Sequence, residues 1–345
     1  MYAYYINDKG EKMDYNQNYN YGYSYTNELY QKEESEKKGI KQIGKVAGLC
    51  IIAYVALENF LPLPIALSRN LSALYKESDE FFYLVACFLS VISVFCVFLI
   101  GGLYLKKQTG TEFLLLENPK DIRLAVYSIG PGLLTCLIGN QITAFFLTYM
   151  KIIGFELTTP EMNTPSSATG RILFVIAIAL IPPLTEESAI RGNILQPLRR
   201  YGDGFAIVAC AIIFAVLHGN LVQAPFAFIA GIGLGYICCV TDSLLPAFAV
   251  HFLNNLYSVA TDFMVNDIKD EKILERNYEI LTVALTVICV ILTVLFVFRL
   301  NGRRLHKKVT VLGTAGKFKA LIFNPPMIIA IIIMIVITAQ FVNRV

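Results

Sequence analysis

Two stretches of this chain, Phe81 to Leu105 and Leu124 to Met150, contain no charged residue. A helix of about 20 apolar residues, rising 1.5 Å per residue, crosses the hydrocarbon core of a bilayer. Runs of this length therefore restrict the chain to a membrane protein. Composition agrees: 56% of the 345 residues are hydrophobic and 16% charged. That balance excludes a disordered chain, a disulfide-stapled secreted domain and a soluble globule.

Nine apolar segments follow one another: 46–67, 81–105, 124–150, one starting near Ile172, then 205–218, 221–241, 244–262, 278–299 and 321–342. The expected fold is an all-α polytopic membrane helical bundle of about eight or nine transmembrane helices. Residues 1–43 hold nine tyrosines in their first thirty positions, without a periodic apolar face, and are expected to form a disordered cytoplasmic tail. Residues 44–155 would be peripheral helices, 156–262 a core, and 263–345 accessory helices.

The net charge of +3 conceals a local excess. Residues 299–320 carry Arg299, Arg303, Arg304, Lys307, Lys308, Lys317 and Lys319 and no acid. Between two hydrophobic spans such a block marks a cytoplasmic loop rather than a nucleic-acid site. Nine spans with the amino terminus inside satisfy the Lys/Arg bias. The eight cysteines all lie in apolar stretches without a CxxC pair, which suits buried packing rather than disulfides or a thiolate metal site.

Ionisable and polar side chains are costly inside a span and mark function there. Three places between 186 and 255 carry them. The first is Glu186-Glu187-Ser-Ala-Ile-Arg191, in which Glu187 and Arg191 are one helical turn apart and can pair. The 14 apolar residues before it reach about 21 Å. That is short of the core's roughly 30 Å, so both acids fall inside the bilayer or at its inner edge. The second is Phe214-Ala-Val-Leu-His218; the third is His251-Phe-Leu-Asn254-Asn255. Only 13 residues precede His218 in its segment, so that segment is expected to break at Gly219-Asn220 and Pro225 and join the next one within the membrane.

In order and spacing these residues resemble the Glu-Glu-x-x-x-Arg, Phe-x-x-x-His and His-x-x-x-Asn/Asp motifs of the CAAX-protease and bacteriocin-processing family of intramembrane proteases. The match covers about 171–262. The resemblance implies peptide-bond hydrolysis by an activated water in membrane-associated protein or peptide substrates, lipidated ones among them. Glu186 would be the general base and His218 would polarise the water. His251 and Asn255 would stabilise the oxyanion, Glu187 and Arg191 would hold the motif, and Phe214 would shape the cavity. Members are often labelled metalloproteases, and Glu186, His218 and His251 are the residues zinc would use. The chain lacks the His-Glu-x-x-His helix of common zinc peptidases, and no obligatory metal is the expected case. The alternatives are a non-catalytic immunity factor or scaffold of the same fold, and a transporter using the same groups as a proton relay. The partners implied are the lipid bilayer and a membrane-anchored substrate, with no nucleic acid. The compartment is a bacterial plasma membrane or, alternatively, the endoplasmic reticulum.

Overall fold

The computed structural model describes residues 4–6, 12–110, 118–159 and 163–344, with side chains from residue 27 onward. Residues 1–3 and 7–11 of the Tyr-rich tail lie outside the described residues, as do residues 160–162 of the Pro/Thr-rich connection.

Ten principal helices make up the bundle among the described residues: α1 (Tyr15–Phe60), α2 (Asp79–Thr109), α3 (Ile122–Ile152), α4 (Ala168–Tyr201), α5 (Asp203–Leu217), α6 (Ala224–Thr241), α7 (Leu245–Asp267), α8 (Glu271–Leu300), α9 (Thr314–Ile322) and α10 (Pro325–Ala339). Strand is limited to two short antiparallel pairs, Tyr4–Ile6 with Lys12–Asp14 and Phe155–Leu157 with Val342–Arg344. The all-α membrane bundle expected from the sequence is the observed architecture.

Each of the nine apolar segments is helical, but they are not equivalent. Six described helices are long and apolar enough to cross a membrane: that spanning Asn27–Leu67, then α2, α3, α4, α6 and α8. A seventh span results if α9 and α10, bent by 79° at their junction, count as one. The bend follows from Asn324, held extended ahead of Pro325 and Pro326, whose carboxamide oxygen caps the Met327 N–H. The 205–218 segment is the 15-residue α5, shorter than a span. The 244–262 segment is the 23-residue α7, whose polar His251, Asn254, Asn255 and Asp262 dilute its hydropathy.

The tail departs from expectation. Helix α1 begins at Tyr15 and runs unbroken into the first span. Ile40 and Ile43 are fully buried in the core. The Glu36 carboxylate accepts the Val311 and Leu312 N–H groups of the basic loop. Composition alone does not reveal this helix, because its buried face belongs to a surface made by α9 and α10, far along the chain.

Lipid-facing surface is most evident on α8, where Val283, Val287, Ile291, Val294 and Phe298 stand exposed. The basic loop is tied down at several points. Arg299 and Arg303 bind Asp121, the residue capping α3, at 3.0 and 3.2 Å. The backbone of His306 exchanges hydrogen bonds with Asp203 at the start of α5, and Lys317 donates to the Tyr201 carbonyl at 2.7 Å. All eight cysteines are free thiols, and six of them are buried.

Candidate active site

Helix α4 carries the acidic motif and is irregular where it does so. Residues Ile176–Leu180 and Ser188–Leu195 form π-helical turns on either side of Pro182 and Pro183. The prolines have a specific effect on the Ile178 carbonyl. An α-helical bond to it would come from residue 182 and a π-helical bond from residue 183, and neither has an N–H to give. The orphaned oxygen accepts the Asn255 side-chain amide of α7 at 3.0 Å. Just before Glu186, Thr185 is bound to Ser90 of α2 at 3.1 Å, which pins α4 to the second span.

Glu187 is buried and accepts two hydrogen bonds on its Oε1. One comes from Arg191 Nη1 at 2.9 Å, the pairing expected from spacing, and the other from His251 Nδ1 at 2.8 Å. The Arg191 guanidinium, fully buried, also donates to the Gly231 carbonyl at 3.3 Å and lies 4.4 Å from the centre of the Phe214 ring. Glycine at position 231 allows a close approach of α5 and α6. A Cβ there would stand 3.0 Å from the Ala211 Cα and 3.5 Å from Arg191 Nη2. The acidic motif is thereby locked to α5, α6 and α7 by a single ion pair.

Phe214 is the hub on α5. Its ring packs edge-on against His218 (centroids 4.8 Å apart) and against His251 (6.1 Å). His218 Nδ1 lies 2.8 Å from the Phe214 carbonyl. A carbonyl cannot donate, so Nδ1 carries the proton and Nε2 presents its lone pair. The same reasoning puts a proton on His251 Nδ1, against the Glu187 carboxylate. His251 Nε2 then faces Glu186 Oε2 at 3.9 Å, longer than a direct hydrogen bond.

Glu186 and His218 line one cavity of about 180 Å³, together with Tyr54 of α1, Val94 and Phe98 of α2, Phe214, and Gln223 of the turn before α6. The expected break after His218 is present: α5 stops at Leu217, Gly219 adopts a left-handed φ of 62°, and α6 resumes at Ala224. Thus Glu186, Glu187, Arg191, Phe214, His218 and His251 form one connected cluster. Asn255 sits one turn beyond His251 with its amide turned toward Ile178, and it is not among the cavity-lining side chains.

Tyr54 and Gln223 were not singled out by the motifs. Tyr54 could have been suspected, because it stands one helical turn before Glu58, an acid within the first span; Glu58 in turn is bound by Ser93 of α2. Gln223, in a polar turn, carries no such signal.

A zinc set of Glu186, His218 and His251 is not assembled here. Among the described residues no group of three His, Cys, Asp or Glu side chains is arranged to hold a metal ion. The His251 ring is committed through Nδ1 to Glu187 and the His218 ring through Nδ1 to the Phe214 carbonyl. Those bonds leave Nε2 of each ring open, and no step is routed through a metal.

Residues 168–257, which contain all three motifs, match the family model described as Type II CAAX prenyl endopeptidase Rce1-like. The match supports the resemblance of this segment to the CAAX-protease and bacteriocin-processing family. No curated protein and no solved structure matches it.

Proposed function

We propose that the protein is an intramembrane endopeptidase that hydrolyses peptide bonds of membrane-associated substrates with a water activated by Glu186 and His218. The observation that carries this reading is the meeting of Glu186 and His218 in one cavity, with the His251 imidazole directed at Glu186 from the far side. A water in that cavity donates one hydrogen to the Glu186 carboxylate and the other to His218 Nε2, leaving an oxygen lone pair for attack. Its oxygen bonds to the scissile carbonyl carbon while Glu186 takes the proton. The motif resemblance assigns the tetrahedral oxygen to His251, whose Nε2 faces Glu186, and to Asn255 one turn beyond it. On collapse the C–N bond breaks and Glu186 returns the proton to the leaving amine. Glu187 and Arg191 position His251 and do not react. The reading needs no obligatory metal; the Lys/Arg bias favours a cytoplasmic amino terminus and basic loop, in a bacterial plasma membrane.

The test is cleavage of a fluorogenic, lipid-anchored peptide by protein in nanodiscs. Glu186→Ala is expected to lose about 10²–10⁴-fold in rate. Glu58→Ala should cleave at the wild-type rate, and a zinc chelator should leave hydrolysis unchanged. Full hydrolysis by Glu186→Ala would overturn the assignment of the base. Specific binding without cleavage by the wild type would favour the immunity or scaffold reading. Comparative peptidomics of cells carrying wild-type or Glu186→Ala protein would then identify substrates.

A further inference from the structure

A peptide lying in the cavity brings backbone carbonyls into surroundings poor in water, where an unpaired carbonyl is costly. The catalytic groups offer them little. Glu186 is an acceptor when ionised, and the Nδ1 proton of His218 is already given to Phe214. The cavity wall has two other polar side chains, Tyr54 and Gln223.

The orientation of the Gln223 amide follows from a chain of donors and acceptors. The Gln223 backbone N–H lies 2.8 Å from one terminal atom of Asn220, which must therefore be the oxygen Oδ1. The other terminal atom is then Nδ2, which agrees with its 2.8 Å distance to the His218 carbonyl. That nitrogen also lies 3.1 Å from a terminal atom of the Gln223 side chain, which must accept and is therefore Oε1. Asn220 is buried, and both its amide protons are used. The Gln223 NH₂ group has no hydrogen-bond partner among the described residues and belongs to an exposed side chain on the cavity wall.

We infer that Gln223 is a substrate-binding residue: its side-chain NH₂ donates to a backbone carbonyl of the bound peptide, and Asn220 holds it in that orientation. The inference rests on the peptidase reading above. It adds a specificity element beyond the three motifs, on the turn that ends the His218 helix. The contact is made to the ground state and to the transition state alike, so it governs KM rather than kcat.

The experiment uses full-length protein in phosphatidylcholine nanodiscs and an acylated fluorogenic peptide, with thioamides (weak acceptors) replacing successive carbonyls. Gln223→Leu should raise KM about tenfold and leave kcat near wild type, as expected for one lost neutral hydrogen bond. One thioamide position should cost the wild type a similar factor and cost Gln223→Leu nothing further. Gln223→Glu, which puts an acceptor against the carbonyl, should be worse than Gln223→Leu. Dissociation constants of the unmodified peptide, measured by anisotropy in the Glu186→Ala background, separate binding from chemistry. A KM and a dissociation constant both within about twofold of the unsubstituted values overturn the role of Gln223. A wild-type protein that binds the peptide without cleaving it overturns the peptidase reading alone, since the anisotropy comparison still reports on Gln223.

Discussion

Removing Arg191 should be the most destabilising single change at the site. The side chain is fully buried, and Glu187, its partner at 2.9 Å, is also buried. Substitution by Met deletes the ion pair, the contact to the Gly231 carbonyl and the guanidinium over Phe214, and leaves the Glu187 carboxylate with His251 as its remaining donor. Breaking a buried pair from one side costs about 3–5 kcal/mol, because the surviving charge is left uncompensated. Glu187→Gln in the same protein removes that charge while keeping an oxygen for His251. The double variant should therefore be more stable than Arg191→Met alone, with a coupling of about 1–3 kcal/mol. Unfolding of purified protein by titration with sodium dodecyl sulfate reports the free energies, and a thiol-reactive dye follows exposure of the buried cysteines. A loss below about 1 kcal/mol for Arg191→Met, the size of an exposed pair, would refute the reasoning. So would strictly additive single and double variants.

Gly231→Ala should cost about 1–3 kcal/mol by overpacking against Ala211, measured by the same unfolding assay, whereas Gly313→Ala, with open space around it, should cost little. Asp121 provides a pH test outside the spans. The Leu124 N–H, and after it Arg299, hold its carboxyl below the usual carboxylate range. The unfolded state therefore binds its proton first as pH falls. The stability it contributes is complete above the unfolded value of about 4 and is lost as pH drops through the folded one. Asp121→Asn should flatten the wild-type decline in stability over that acidic window and change nothing in the slope near neutrality.

The candidate site was partly legible because its motifs are local. Glu187 with Arg191 and Phe214 with His218 each repeat at one helical turn, and the structure joins both pairs as that spacing requires. What spacing could not reveal is that Glu187 has a second partner, His251, 64 positions further on. The Ile178 carbonyl is an intermediate case. Two successive prolines announce an orphaned oxygen to anyone counting N–H groups, but the amide that satisfies it comes from another helix. The helical tail was hidden for the opposite reason, since its own residues are polar and it gains its buried contacts from α9 and α10.

By itself the sequence determined the solvent and marked the candidate site. Uncharged runs longer than the bilayer core force membrane helices, since an unsatisfied backbone is not tolerated in hydrocarbon, and polar residues placed at a cost within neighbouring spans mark the candidate cluster. The tertiary structure decided what depends on contacts between distant segments: the commitment of each imidazole's Nδ1, the wall that Tyr54, Val94 and Gln223 add to the cavity, and the turning of Asn255 toward a carbonyl stripped of its donors. Side-chain orientation in a helix bundle is set by whichever neighbour can satisfy a buried polar atom, and that neighbour's position along the chain is not encoded by any period.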